Sequence, residues 1–208
     1  MLETRSLACL RGDRLLFRGL DFSLAPGEMV RVLGPNGMGK TSLLRMLCGL
    51  VAPEAGEVLW GGTPVQRERE DFHRALLYLG HAAALNDLLS PLENLRFAVR
   101  SAGDAVETAA CDAALERIGL AAQRDLPSRV LSQGQRRRVG LARLFLSAAR
   151  PLWVLDEPFN ALDIDAVAGL AATLDAHCAQ GGMVLLTTHQ DVAFSTPLRH
   201  LDLRAVAC

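Results

Sequence analysis

MVRVLGPNGMGKTSLLRMLCGL, Met29 to Leu50, constrains this chain more than any other stretch. MVRVL is the short apolar run of a buried parallel strand, and it breaks at a glycine. GPNGMGKT, Gly34 to Thr41, then satisfies G-x-x-x-x-G-K-[ST], and TSLLRMLCGL reads as a helix that stops at Gly49 and Pro53. Strand, glycine loop, lysine, hydroxyl and helix stand in the order a phosphate-binding loop needs. The candidate cradle is Gly34, Pro35, Asn36, Gly37, Met38, Gly39, Lys40, Thr41 and Ser42. Gly37 and Gly39 let the backbone curl so that successive amides face phosphate oxygens, and the helix N-terminus adds partial positive charge. Lys40 is placed to reach β- and γ-phosphates, and the Thr41 hydroxyl to ligate Mg2+. A glycine turn before an ordinary helix would need none of the lysine, hydroxyl and strand that accompany this one.

A second apolar run, LWVLDEP, ends in adjacent acids. Asp156 is the carboxylate for a Mg2+-bound water, and Glu157, one residue beyond, is the candidate to polarise an attacking water. A third run, MVLLTTH, ends in His189. The three runs predict parallel strands whose C-terminal ends carry the chemistry. The text up to about Ala25, the turn Pro26-Gly27 and EVLWGGTPV after Gly56 predict a smaller antiparallel sheet. Between about residues 82 and 130 strand signals fade into alanine-rich text, which predicts a helical subdomain inserted in the α/β core. No repeat or low-complexity tract breaks the 208 residues, which read as one domain, 1–208.

Composition narrows the partners. The chain is 50% hydrophobic, enough to bury a core without disulfides, and its formal net charge of -1 gives no footprint for nucleic acid. Cys9, Cys48, Cys111, Cys178 and Cys208 stand singly, without C-x-x-C or zinc spacing, as expected for reduced thiols in a cytosolic protein. The N-terminus lacks the pattern of a secretory leader, and no apolar stretch is long enough to cross a bilayer. Any work at a membrane is expected to pass through a partner.

LSQGQRRRVGLARLFL, Leu131 to Leu146, carries Ser132 and Gln135 three apart ahead of an amphipathic helix. That spacing is a capping box, which is a sufficient structural reason for both residues. Gly134 in the first turn also opens the helix amides to close approach, and a serine beside a helix N-terminus suits a phosphate. One chain with a P-loop has no need of a second phosphate site for its own nucleotide.

The whole set resembles the ATP-binding cassette family, a P-loop NTPase core of the ABC ATPase type whose signature is LSGGQ. Here it reads LSQGQ, with Gln133 for the usual glycine. The resemblance implies ATP and Mg2+ as ligands and a head-to-tail homodimer in the ATP-bound state. In it, Ser132, Gly134 and Gln135 of one chain would close over ATP on the other's P-loop. It also implies that Ala161 to Asp163 form the loop crossing the dimer interface, and that His189 is the switch histidine touching the γ-phosphate. Taken alone, His189 would be a strand-end histidine.

Two positions depart from the family pattern. Arg11, 29 positions before Lys40, stands where the family carries an aromatic residue for adenine. A guanidinium plane also stacks on a base, and Arg11 equally suits a solvated turn. His81, after LLYLG, stands where the family carries a glutamine that touches Mg2+ and the attacking water. LLSPLENLRF beyond it resembles the segment that opens the helical lobe; Leu88, Leu89, Leu92, Leu95 and Phe97 are expected mostly in its core, a few shaping a docking groove. YLGH, ENLRF, the arginine at position 11 and the signature helix resemble one subgroup, the ATPase subunit of the cytochrome c biogenesis haem exporter. That implies integral membrane permease partners, the cytoplasmic face of a bacterial inner membrane, and haem export or release of a haem chaperone. The rival readings are the ATPase of another small exporter, for drugs or lipids, and a soluble assembly scaffold.

Overall fold

The computed structural model describes residues 1–207; Cys208 lies outside them. Strands β1 (Leu2–Arg11) and β2 (Arg14–Leu24) form a hairpin that pairs Arg11 with Arg14 across a turn at Gly12. Then follow β3 (Met29–Leu33), α1 (Lys40–Leu47), β4 (Ala55–Trp60), β5 (Thr63–Pro64), α2 (Arg69–Ala75) and β6 (Leu76–Leu79). The helical stretch holds α3 (Pro91–Ser101), α4 (Thr108–Arg117), α5 (Gln133–Leu141) and α6 (Arg143–Leu146). The chain closes through β7 (Leu152–Asp156), α7 (Ile164–Ala179), β8 (Met183–Thr187) and β9 (Leu198–Asp202).

Two sheets result. The antiparallel one runs β2-β1-β4-β5, and the parallel one runs β6-β7-β8-β3-β9. Every residue of β7 and β8 is buried, because the parallel sheet is covered on both faces. Alternate side chains divide between the faces, following the two-residue period of a strand. Val30, Val32, Val154 and Leu185 join Leu43, Leu44 and Leu47 of α1 and the apolar face of the β1–β2 hairpin. Met29, Trp153, Leu155, Val184 and Leu186 join Leu144, Leu170 and Leu174 on the opposite face. All five strands of this sheet point the same way, so the segments after β3, β6, β7 and β8 gather at one edge.

The helical subdomain has its own apolar cluster, with Leu95, Val99, Cys111, Leu115 and Leu120 at its centre. That cluster continues past the sequence boundary at residue 130, taking in Leu131, Val139 and Ala142. Leu141, on the other side of α5, packs with Leu155 and Leu170 of the core. α5 therefore serves both layers at once. Of the five apolar residues expected mostly in the lobe's core, only Leu95 is fully buried; Leu88 and Phe97 are 73% and 66% exposed. Two elements carry weak sequence signals. α2 is a short helix with one buried residue, Phe72, and β9 is an edge strand whose Arg199 and His200 face solvent.

Candidate active site

The loop after β3 turns into α1 at Gly39, which has φ 100 and therefore lies in the left-handed region. A Cβ there would also stand 3.0 Å from Leu16 Cδ1. α1 begins with no side-chain cap and no acid in its first turn, so its orphan amides keep their partial positive charge. Lys40 folds back over the loop, its Nζ donating to the carbonyls of Gly34 at 2.6 Å and Pro35 at 3.3 Å. Thr41 Oγ1 donates to Asp156 Oδ2 at 2.8 Å, joining the P-loop to the end of β7.

The other oxygen of Asp156 accepts from Thr187 Oγ1 at 2.7 Å. That same hydroxyl accepts from the backbone N–H of Glu157 at 2.9 Å. One side chain at the end of β8 thus fixes both acids. Glu157 adopts φ 53, a strained conformation for a residue with a side chain. Its Oε1 lies 3.4 Å from His189 Nε2, and its Oε2 is buried without a partner. A buried carboxylate oxygen left unpaired is costly. Such an oxygen suits a site where a water or substrate group is to be bound.

These groups line one open cleft of about 450 Å3, with Asn36, Gly37, Gly39, Lys40, Thr41, Ser42, Asp156, Glu157, Asn160 and His189, and with Arg11 and His81 on its exposed rim. Gly34, Pro35 and Met38 complete the turn without lining the cleft. His81 also borders a second hollow, lined by Gly80, Ala82 to Leu85, Asn94 and Leu95 at the base of the helical lobe. It stands between the two.

Ser132, Gly134, Gln135 and Asp163 do not line this cleft. Ser132 and Gln135 make the expected box: the Gln135 N–H donates to Ser132 Oγ at 3.2 Å, and the Ser132 N–H donates to Gln135 Oε1 at 2.9 Å. Ser132 is exposed and Gln135 half-buried. Gly134 has a local reason of its own, since a Cβ would stand 2.8 Å from the Ala161 carbonyl. Asp163 caps α7 by accepting from the Ala166 N–H at 2.9 Å, and its other oxygen pairs with Arg138. The Ala166 amide, with Arg138, holds that carboxyl below the usual carboxylate range.

Sequence reasoning missed Thr187, Asn160 and Arg137. Thr187 has the weak signal of a hydroxyl pair after an apolar run. Arg137 is buried on α5, where its neighbour Arg136 is not; nothing in the run RRR distinguishes them. Burial pushes the Arg137 pKa down, opposed by the charges of Asp156 and Glu157.

A sequence profile described as ABC transporter matches residues 17–160. The chain belongs to the ABC transporter family. It is 69% identical over 207 residues to a protein of Aromatoleum aromaticum named "Cytochrome c biogenesis ATP-binding export protein CcmA", covering 100% of this chain and 97% of that one. Among solved structures it is similar to the ATP-binding subunit of an ABC transporter, with TM-score 0.81 and 27% identity over 91% of this chain and 79% of the other. A dimeric ATP-binding cassette bound to ADP and Pi, in a post-hydrolysis state, superposes with TM-score 0.80 over 91% of this chain and 88% of that chain; at 22% identity it bears on the fold alone.

An ABC cassette binds ATP, and the cleft offers what triphosphate recognition needs: uncapped helix amides, a lysine and a glycine cradle. For Mg2+ the donors are the Thr41 hydroxyl and the Asp156 carboxylate, both hard oxygens already 2.8 Å apart. No cluster of three or more His, Cys, Asp or Glu suited to a metal occurs among the described residues. No Phe, Tyr or Trp lines the cleft; the planar side chains at its rim are the Arg11 guanidinium and the His81 imidazole. No helix of the described residues is long and apolar enough to cross a membrane.

Proposed function

We propose that this chain is the ATP-hydrolysing subunit of a bacterial inner-membrane ABC export complex serving cytochrome c biogenesis, through haem export or release of a haem chaperone. The observation that carries the biological assignment is the likeness at 69% identity along the whole chain to a protein of that name. The observation that supports the chemistry is the junction at the sheet edge, where Thr41, Asp156, Thr187 and Glu157 form one hydrogen-bonded chain.

In this reading the α1 amides and Lys40 bind the phosphates of ATP and stabilise charge on the transferred group. Mg2+, held by Thr41 and Asp156, would neutralise phosphate charge. Glu157, through its unpaired oxygen, orients and polarises the attacking water, and His189 beside it faces the γ-phosphate. His81 lines the same cleft and also borders the lobe's hollow. Two copies associate head to tail, and Ser132, Gly134 and Gln135 of one complete the ATP site of the other, with Asp163 at the crossing. The homodimer sits on integral membrane permease subunits at the cytoplasmic face, and its closing and opening perform the work.

The test has two arms. Glu157→Gln keeps ATP bound and traps the dimer, while turnover falls about a hundredfold or more, read by single-turnover hydrolysis and by size in the presence of ATP. Deletion of the gene stops covalent haem attachment to c-type cytochromes. Native turnover by Glu157→Gln would remove the role of that residue, and normal haem attachment would remove the biological assignment.

A further inference from the structure

Arg137 hydrogen-bonds both the catalytic turn and the loop leading to the lobe's hollow. Its residue is 8% exposed, and its guanidinium spends both terminal nitrogens on backbone carbonyls of two segments far apart in sequence. Nη1 donates to Gly80 O at 2.7 Å and His81 O at 3.1 Å. Nη2 donates to Asp156 O at 2.7 Å and Glu157 O at 2.9 Å. None of these bonds belongs to a helix or a sheet ladder. The neighbouring arginines do something else: Arg136 binds Asp87 and the Ser128 carbonyl, and Arg138 pairs with Asp163.

The backbone of Glu157 is where this clamp acts. A non-glycine residue at φ 53 stays there only if its surroundings over-determine it. Thr187 holds the N–H of Glu157, and Arg137 holds the carbonyls on either side of its Cα, so three bonds fix the direction in which the carboxylate leaves the chain. The same rigid fork is bonded to Gly80 and His81. A shift of that loop therefore pulls on the peptide that aims Glu157, because a planar guanidinium cannot follow one pair of carbonyls without straining the other.

We infer that Arg137 is a positioning residue for hydrolysis: it holds the Glu157 carboxylate in its productive direction and makes that direction depend on the loop at Gly80–His81. This rests on the reading of Glu157 as the group that polarises the attacking water. Lysine keeps the charge but is a single point donor, so it holds one segment and releases the other. Displacements of about an ångström at a reacting group cost on the order of a hundredfold in rate.

The experiment is steady-state ATP hydrolysis by Arg137→Lys and Arg137→Gln, each alone and combined with Glu157→Gln, beside Arg136→Gln as a same-helix control. For Arg137→Lys, kcat falls about tenfold and for Arg137→Gln about a hundredfold, with KM for ATP within about twofold of native and Arg136→Gln near native. In the Glu157→Gln background neither substitution lowers the residual rate more than about twofold, because the group being aimed is already gone. A native kcat in Arg137→Lys, a KM that rises in step with the loss, or losses that multiply in the double variants would each overturn the inference. So would an Arg137→Lys chain that fails to fold, which would assign the residue to the scaffold. If Arg137→Gln alone fails to fold, Arg137→Lys decides. A native rate in Glu157→Gln sinks the reading beneath; an inactive Glu157→Gln beside a native Arg137→Lys sinks only this step.

Discussion

Two helices of this molecule start with the same device and put it to different uses. α3 opens with Ser90 and Glu93, and α5 with Ser132 and Gln135. In both, the amide of the third residue after the serine donates to the serine Oγ at 3.2 Å and the glutamyl or glutaminyl oxygen accepts from the serine N–H, at 2.8 Å and 2.9 Å. Around the first box the serine is closed off, although Glu93 itself is exposed. Ser90 is 7% exposed, and Asn94 beneath it donates to the carbonyls of Asn86, Leu89 and Ser90 and to Ser128 Oγ, while accepting from the Asn86 N–H. Around the second box the serine lies open: Ser132 is exposed, while Gln135 and Gly134 are half-buried, Gly134 against the Ala161 carbonyl. The acid differs too. Glu93 brings a negative charge to the start of α3, whereas the first turn of α5 has none. A carboxylate satisfies a helix N-terminus internally; an amide caps it and leaves its field for an anion from outside.

The sharpest way to break that contrast is Gln135→Glu, which gives α5 the first box's acid. Glutamate serves a capping box as well as glutamine, so the melting temperature of the isolated chain holds or rises slightly. ATP turnover, which in the proposed dimer needs a phosphate against this helix end, falls about a hundredfold. Undiminished turnover would mean that α5 is merely capped, like α3. The converse substitution is Asn94→Ala, which strands several carbonyls and Ser128 in the lobe. It lowers stability by about 2 kcal/mol in denaturant titration, and turnover per folded molecule stays near native. Catalytic loss with unchanged stability would show that the first box is not a purely internal fastening.

Both boxes were legible as boxes, because a cap is local and its spacing is written in four residues. Which one faces outward was not, since exposure depends on what the rest of the chain lays over it. The same distinction runs through the catalytic cleft. Lys40, Thr41, Asp156 and Glu157 announce themselves by short-range pattern next to apolar strands. Thr187 meets Asp156 across a separation of 31 residues and Arg137 meets Gly80 across 57, contacts that arise only from strand order β6-β7-β8 and from α5 bridging lobe and core. The helical lobe was read as ending near residue 130 because its alanine-rich text ends there; its packing runs on to Ala142 because α5 has two apolar sides. The edge strand β9 was invisible for the opposite reason. Its Arg199 and His200 face solvent, so it lacks the continuous apolar run that marks β7 and β8.

A third cap sharpens the comparison at smaller scale. Asp163 joins the two modes, fastening α7 through the Ala166 amide and α5 through Arg138 while remaining largely exposed. Its carboxyl is held below the ordinary 3.8, first by the Ala166 amide. The unfolded chain, titrating at the ordinary value, then binds more protons than the folded one as pH falls past 3.8, so this fastening is fully present above 3.8 and is lost as pH falls through the lower folded value. Asp163→Asn keeps a capping side chain but has no proton to take up. Denaturant midpoints of the nucleotide-free chain, followed from neutral pH downward, are therefore close for the two proteins near pH 7 and converge further below the carboxylate range, where the native chain gives up its advantage. Parallel curves through that range would mean that the amide of Ala166 and the guanidinium of Arg138 hold Asp163 no more firmly than water does, and that the loop it anchors is tied to α5 by backbone packing at Gly134 and Ala161 alone.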